Sequence, residues 1–138
     1  MRYVYPVIFT PADGGYAVEV PDLPGVYTCG DDLPDAMDMA QDAVEMWLAW
    51  AEDEGQAIPP PSASLPHEAP QFVNLVKADT DTWRRANDNR AVRKNLTIPA
   101  WLNNLAEAAH VNFSSVLQEA LKKHLNIASY PNNPPVNK

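Results

Sequence analysis

An alternation of apolar and polar side chains marks the stretch that follows Arg90. One side of the alternation is apolar (Val92, Leu96, Ile98) and the other is polar (Arg93, Asn95, Thr97). This period of two residues is that of a β-strand, whose successive side chains point to opposite faces. Pro99 is expected to end the strand, because its fixed φ suits the first position of a helix.

Two amphipathic helices are predicted after this strand. In the first, apolar residues recur with the spacing of one helix face, at Leu102, Leu105, Ala106 and Ala109. We expect Asn112 to end this helix in a left-handed conformation. Ser114 or Ser115 should then cap the second helix, since Ser115 and Gln118 have the spacing of a capping box. The apolar face of the second helix consists of Leu117, Ala120, Leu121 and Leu125.

A strand and two helices of this length are too small to bury a core of their own, and a lone strand leaves its backbone groups unpaired. A second copy is therefore expected to supply the missing strand. Residues 90–127 resemble the ribbon-helix-helix family of DNA-binding dimers. The resemblance implies that two antiparallel strands enter the major groove of DNA, where Arg93, Asn95 and Thr97 read base edges.

The start of the second helix is another candidate DNA contact. In ribbon-helix-helix proteins this point meets a phosphate, and Ser114 and Ser115 lie there with free backbone N–H groups. The alternative interpretation of the whole stretch is an amphipathic strand and helical hairpin packed inside an ordinary domain.

The N-terminal half has the pattern of a small sheet covered by a long helix. Strands are predicted at Tyr3–Thr10, Tyr16–Val20, Val26–Cys29 and Phe72–Val76. The sequence Ala12-Asp13-Gly14-Gly15 is typical of a hairpin turn between the first two strands. The helix should begin near Leu33-Pro34, with Asp31 or Asp32 as its cap, and end at Gly55.

That helix carries two neighbouring apolar stripes. The first is expected to cover the sheet and consists of Leu33, Ala36, Met37, Ala40, Val44, Trp47, Leu48 and Ala51. The second consists of Met39, Ala43, Met46 and Trp50, and the polar arc holds Asp35, Asp38, Gln41, Asp42, Glu45 and Glu52. Two interpretations of the second stripe stay open. It lies beneath the loop of residues 56–70, or it contacts another subunit or partner, where Met and Trp are enriched.

Proline-rich and polar segments separate these elements. Prolines are concentrated in residues 58–70, and the polar segment 79–89 has room for one helical turn around Trp83. We therefore expect an N-terminal domain at residues 1–80, a linker at 81–89 and a DNA-binding domain at 90–127. Residues 128–138 are predicted to be a disordered tail.

Charge is divided unevenly along the chain. The net charge of the 138 residues is −8, but residues 1–80 hold two basic and fourteen acidic residues, a net −12, and residues 81–138 hold eight basic and four acidic ones, a net +4. This asymmetry predicts a nucleic-acid surface in the C-terminal half and a surface for a cationic partner in the N-terminal half. The alternative for the acidic half is that its charge serves solubility alone.

Composition narrows the class of protein further. Hydrophobic residues make up 46% of the chain, which is enough to build a core. No apolar run reaches the roughly 18 residues of a membrane span, so no membrane partner is expected. The single cysteine, Cys29, permits no internal disulfide, which favours a reducing cytoplasm.

The N-terminal half also resembles a known family. The stretch YPVIFTPADGGYAVEVPDLPGVYTCGDDLPDAMDMAQDAVEMWL combines a hairpin, a Pro-Asp-Leu-Pro-Gly loop and a helix led by Gly-Asp. This pattern is similar to the HicB antitoxin domain, and with the ribbon-helix-helix unit behind it the resemblance covers about residues 3–127. It implies an α+β fold: a three-stranded sheet, a helix and a fourth strand, similar to a trimmed ribonuclease H, followed by the ribbon-helix-helix unit.

Resemblance to that family implies an antitoxin of a type II toxin–antitoxin pair. Its partner would be a HicA-type toxin, a small basic protein that cleaves mRNA, and the antitoxin would repress its own operon as a homodimer on operator DNA. Pairing of dimers into tetramers stays open. The residues then expected to bind the toxin are Asp38, Asp42, Glu45, Met39, Met46 and Trp50.

Catalytic chemistry is not expected. Complete ribonucleases H hold metal ions with several convergent carboxylates, whereas nothing in this sequence makes Asp13, Asp31, Asp32 or the helical aspartates converge. The histidines, His67, His110 and His124, lack the spacing of a zinc site. We predict no enzyme activity, no cofactor and no metal. Two alternatives remain, a repressor whose N-terminal domain senses a small ligand and a metal-dependent nuclease.

Overall fold

The computed structural model describes residues 1–127, and the chain divides into two compact units. The first unit is Met1–Ala86 and the second begins at Asn87. The division differs slightly from the expected domains, because residues 81–86 belong to the first unit instead of a linker. The expected tail, residues 128–138, lies outside the described residues.

The first unit is built on a four-stranded antiparallel sheet. Its strands are β1 (Arg2–Ala12), β2 (Gly15–Glu19), β3 (Tyr27–Gly30) and β4 (Phe72–Asp79), in the order β3-β2-β1-β4. Asp13 and Gly14, with φ of 46° and 81°, make the turn between β1 and β2. Pro6 lies in β1, a central strand, although proline has no N–H to donate to a ladder. It is tolerated there because β2 pairs with β1 only from Ile8 onward.

The helix α1 (Leu33–Glu54) lies across one face of this sheet. Asp32 caps it, with its Oδ1 accepting a hydrogen bond from the backbone N–H of Asp35 at 2.8 Å. Gly55 ends it in a left-handed conformation with φ 65°. The core between helix and sheet consists of Tyr5, Val7, Phe9, Val18, Val20, Leu23, Val26, Ala36, Ala40, Val44, Leu48, Val76 and Ala78. Burying each large apolar side chain contributes about 1.5–3 kcal/mol to stability.

The start of α1 lies very close to the end of β3. A Cβ added to Gly30 would stand 2.3 Å from the backbone nitrogen of Ala36, closer than two non-bonded atoms can approach. Only glycine therefore fits at position 30, which explains why a Gly-Asp pair precedes the helix.

A short helix, α2 (Thr80–Ala86), follows β4 directly and packs against α1. Its first residue, Thr80, is completely buried. The expectation of a linker over residues 81–89 does not hold for residues 81–86. The segment around Trp83, which had room for one helical turn, instead forms α2 and packs against α1.

The second unit contains the two expected helices, α3 (Ala100–Ala108) and α4 (Phe113–His124). Pro99 precedes α3 instead of starting it, and its carbonyl accepts hydrogen bonds from the backbone N–H groups of Leu102 and Asn103. Residues 90–98 form no strand within the chain. A strand needs a neighbouring ladder, and the described part of the chain provides none for this segment.

The caps of these helices differ from the expected ones. His110, with φ 54°, takes the left-handed conformation after α3 that was expected of Asn112. Asn112 instead caps α4, and its Oδ1 accepts a hydrogen bond from the N–H of Ser115 at 3.0 Å. Ser114 and Ser115 therefore lie in the first turn of α4 and do not cap it. Across residues 1–127, no helix has both the length and the apolar character needed to cross a membrane.

Candidate functional sites

An apolar stripe on α1 faces away from the sheet. Met39, Met46 and Trp50 are 41%, 52% and 50% exposed, and they share one side of the helix because about 100° separates successive residues. Trp50 also meets Trp47 edge to face, with ring centroids 5.9 Å apart. We call Met39, Met46 and Trp50 the α1 stripe.

The proline-rich connection does not cover the α1 stripe, so the first of its two interpretations is wrong. The connection is held elsewhere by hydrogen bonds at several points, which include a bond from the Ser62 hydroxyl to Asp22. The Tyr5 hydroxyl donates to the carbonyl of Pro59, the backbone N–H of Ser62 donates to Asp22 at 2.8 Å, and the Gln71 amide donates to the Thr10 hydroxyl at 3.1 Å. These contacts tie the connection to the sheet and to the loop after β2, and the stripe stays open to solvent.

The carboxylates expected beside the stripe lie in three different environments. Asp38 is exposed. Asp42 is half-buried and accepts a hydrogen bond from the indole N–H of Trp83 at 3.2 Å. Glu45 is only 8% exposed, and its Oε1 accepts hydrogen bonds from the Gln41 amide and the backbone N–H of Asp79. The placement of Glu45 on the solvent-facing arc was therefore wrong, because the junction of β4 and α2 covers that part of α1.

Arg84 and Glu52 form the centre of the contact between α1 and α2. The guanidinium of Arg84 donates to Glu52 Oε2 at 2.7 Å, to Asp53 Oδ1 at 2.8 Å and to the carbonyl of Ala49 at 3.0 Å. The hydroxyls of Tyr3 and Thr80 donate to Glu52 Oε1 at 2.7 Å and 3.1 Å. This network was not predicted from the sequence, because nothing in the Trp-Arg-Arg run indicates which distant carboxylates the two arginines contact.

This network shifts the ionisation of its members. Burial, followed by the hydrogen bond to the Glu52 carboxylate, raises the pKa of Tyr3 to about 12. For Glu52, burial alone would raise the pKa, but the hydrogen bonds from Tyr3, Arg84 and Thr80 outweigh it and hold the pKa below its usual 4.5. Glu52 therefore stays ionised, as the partner of Arg84.

The candidate DNA-reading side chains are accessible. Arg93, Asn95 and Thr97 are all exposed, as is Ser114, whereas Ser115 is half-buried in the first turn of α4. The chain by itself does not arrange the three side chains on one face of a ladder, since residues 90–98 are unpaired.

The second unit leaves its apolar faces uncovered. No residue of α3 or α4 is buried. The exposed apolar side chains comprise Val92, Leu96, Ile98, Trp101, Leu102, Leu105, Phe113, Val116, Leu121 and Leu125. Trp101, Phe113 and Val116 were not part of the predicted stripes. Apolar surface on this scale marks an interaction site.

Evidence for chemistry of other kinds is sparse. A hollow of about 280 Å³ beside the hairpin turn is open to solvent and lined in part by Asp13, Tyr16, Cys29 and Asp31. Within residues 1–127, no three or more His, Cys, Asp or Glu side chains are grouped so that they could hold a metal ion.

Comparison with known proteins identifies the family. The sequence model of the HicB-like antitoxins of bacterial toxin–antitoxin systems matches residues 5–122. This chain belongs to the HicB-like antitoxin family. The match extends through both units, so the open stripe of α1 and the uncovered helices of the second unit are parts of one HicB-like antitoxin.

Individual relatives agree with this family. Antitoxin HicB 2 of Photorhabdus laumondii is 27% identical over 132 residues, which are 91% of this chain and 95% of that protein. Antitoxin HicB of Escherichia coli K12 is 37% identical over 65 residues, only 46% of this chain and 47% of that protein.

Two solved structures share the α+β fold. A chain of a toxin–antitoxin complex from Streptococcus pneumoniae superposes with a TM-score of 0.55 at 22% identity, over 90% of this chain and 99% of that chain. The antitoxin HicB of Burkholderia pseudomallei gives a TM-score of 0.50 at 24% identity, over 91% and 98%. The α+β fold predicted from the sequence is confirmed, and the predicted fourth strand, β4, joins the other three in one sheet.

Proposed function

We propose that this HicB-like antitoxin neutralises a HicA-type toxin through its first unit and represses its own operon through its second unit. It acts in the cytoplasm, without catalysis of its own. The observation that carries the proposal is the pair of uncovered apolar surfaces, one on the acidic unit and one on the unit that contains Arg93, Asn95 and Thr97. The occurrence of a similar fold in a toxin–antitoxin complex of Streptococcus pneumoniae supports the partner assignment.

The toxin would bind to the α1 stripe and the carboxylates beside it. Met39, Met46 and Trp50 supply apolar area of the kind enriched at interfaces. Asp38 and Asp42 lie next to them on α1, and the net charge of −12 in residues 1–80 attracts a basic protein. Glu45 is excluded from this surface by its burial.

Binding kinetics with a purified HicA-type toxin test this surface. The apolar contact sets the lifetime of the complex, so Trp50→Ala should speed dissociation and leave association nearly unchanged. The matched control is Tyr27→Ala, which removes an exposed aromatic side chain from β3. Equal dissociation rates for the wild type and a folded Trp50→Ala protein would remove the stripe from the interface.

Charge steering is tested separately. Asp38→Asn should slow association and weaken its dependence on salt, since steering acts over about one Debye length, roughly 8 Å at physiological ionic strength. Asp13→Asn, in the exposed β1–β2 turn, is the control because it removes the same charge far along the chain from α1. Association that ignores salt in every variant would rule out steering.

Operator binding requires a second copy of the chain. Two copies could cover the exposed faces of α3 and α4 and pair their 90–98 segments as antiparallel strands, which would bring Arg93, Asn95 and Thr97 onto one face. The supporting observation is that this unit has no buried residue in α3 or α4.

The DNA-binding proposal is tested by base-contact and charge-matched variants. Arg93→Ala and Asn95→Ala should each weaken binding to an inverted-repeat operator by about 1–3 kcal/mol and relax specificity at one position. Lys94→Ala removes the same charge as Arg93→Ala, from the other side of the proposed strand. It should weaken binding to every DNA sequence by the same factor. Unchanged specificity in the Arg93→Ala, Asn95→Ala double variant would contradict the strand assignment.

A further inference from the structure

Side chains of α2 donate hydrogen bonds to two carboxylates of α1 that border the α1 stripe. Trp83 donates to Asp42 at 3.2 Å, and Arg84 donates to Asp53 at 2.8 Å. At about 100° per residue, Asp42 lies about 40° and Asp53 about 20° around the helix from Met46. An indole N–H and a guanidinium of the chain itself therefore occupy acidic groups at the edge of the proposed toxin surface.

The position of α2 depends on these two contacts together with the hydrogen bonds of Thr80 and Arg84 to Glu52. The helix has seven residues, well below the roughly 12–15 that an isolated helix needs in water. Thr80 is its one buried residue, and the side chains of Trp83 and Arg84 are partly exposed. The Asp53 carboxylate is 68% exposed, so its ion pair with Arg84 is one that solvent and a competing cation can reach.

We propose that α2 competes with a cationic partner for Asp42 and Asp53, the two carboxylates beside the α1 stripe. Either the side chains of Trp83 and Arg84 or the partner can bind these carboxylates, but not both at once. The identity of the partner rests on the proposed function. A partner that presents arginine or lysine beside an apolar patch would engage Met46 and Trp50 and displace α2 from the two carboxylates.

Displacement would reach the DNA-binding unit through the chain. The release of α2 adds seven residues to the exposed segment that joins α2 to α3, up to about 25 Å at 3.3–3.6 Å per extended residue. When one unit of the chain is bound, a longer connection lowers the effective concentration of the other unit at its own binding site. Occupancy of the α1 stripe would thus alter operator binding with no direct contact between toxin and DNA.

Competition predicts that weakening the α2 contacts strengthens partner binding. The probes are a purified HicA-type toxin and, independently of any toxin, an octa-arginine peptide, each titrated against the full-length protein. Trp83→Phe and Arg84→Gln should bind both probes about 3–10-fold more tightly than the wild type does. Arg85→Gln, which removes the same charge from an exposed α2 residue whose guanidinium donates to Thr82 of its own helix, should bind nearly as the wild type does. Equal affinities of the Arg84→Gln and Arg85→Gln proteins would overturn the competition.

The indole N–H signal of Trp83 in NMR spectra of the unmodified chain gives a second readout. Addition of either probe should move this signal toward that of a solvent-exposed indole over the concentrations that shift the Trp50 signal. A shift at Trp50 with an unchanged Trp83 signal would show that α2 stays in place when the probe binds, and no shift at either residue with both probes would show that neither probe binds the stripe; each result would overturn the competition. If the peptide shifts both signals and the toxin shifts neither, the proposed toxin partner is wrong while the competition holds.

Discussion

The same apolar periodicity occurs in α1 of the first unit and in α3 and α4 of the second unit. The apolar face of α1 is buried, whereas the apolar faces of α3 and α4 are exposed. Leu48 in the main stripe of α1 is completely buried, whereas Leu105 in the stripe of α3 is 63% exposed. The difference lies in the covering layer. The chain supplies a four-stranded sheet for α1 and, within the described residues, supplies nothing for α3 and α4.

This contrast separates two properties that an amphipathic pattern is often taken to predict together. The pattern predicts which face of a helix must be covered. It does not predict whether the cover comes from the same chain or from another. The first unit has the buried core of an independent domain, whereas the second unit exposes apolar surface of the kind that marks an interaction site.

Matched leucine substitutions should give the largest effect. Leu48→Ala creates a cavity beneath the sheet and should cost about 2–5 kcal/mol of the free energy of unfolding of the first unit, at any protein concentration. Leu105→Ala should leave the first unit unchanged and destabilise only the second unit, whose unfolding should depend on protein concentration. Urea denaturation at two concentrations, followed by circular dichroism, measures both effects.

The concentration dependence decides this prediction. Wild-type protein should show one transition that is independent of concentration and one that shifts to higher urea as the protein is concentrated. A second unit that unfolds at the same urea concentration after a hundredfold dilution would be a folded monomer, and the comparison between the two units would fail.

Local signals account for the parts of the fold that the sequence predicted well. Asp32, Gly55 and the apolar spacing of α1 act within a turn or two of the chain, so the helix and its boundaries follow from residues next to one another. The hairpin of β1 and β2 is equally local, since Asp13 and Gly14 lie between strands that pair directly.

Long-range contacts account for what was missed. Arg84 and Glu52 are 32 positions apart, and only the folded chain shows that their ion pair holds α2 against α1 and that Glu45 lies beneath the junction of β4 and α2. The prediction of the α4 cap was wrong for another reason. Asn112 and Ser114 both suit the capping position, and local preference does not rank them.

Removal of α2 should give an intermediate effect and set the boundary of the first unit. A chain that ends after Asp79 loses Thr80 and Arg84 as partners of Glu52 and Trp83 as a partner of Asp42, and the loss of these hydrogen bonds to partly buried carboxylates should cost on the order of 2 kcal/mol. A chain that ends after Ala86 keeps these contacts and should be as stable as the first unit of the full-length protein. Urea denaturation of both fragments measures the difference. Equal stability would mean that α2 contributes nothing to the first unit.

Tyr3→Phe should have the smallest effect, about 1 kcal/mol, because it deletes one hydrogen bond to Glu52. Its signature is the pH profile of stability. The lowered pKa of Glu52 contributes stability above pH 4.5 that is lost as the pH falls below it, and the raised pKa of Tyr3 contributes stability below pH 10 that is lost as the pH rises toward 12. Tyr3→Phe should therefore lose less stability in acid than the wild type does, because the pKa of Glu52 is then lowered less, and it should abolish the Tyr3 part of the alkaline loss. Tyr27→Phe, at an exposed position on β3, should follow the wild type. Parallel profiles for Tyr3→Phe and wild type, from urea midpoints between pH 3 and 11, would show that Glu52 is held ionised by Arg84 without help from β1.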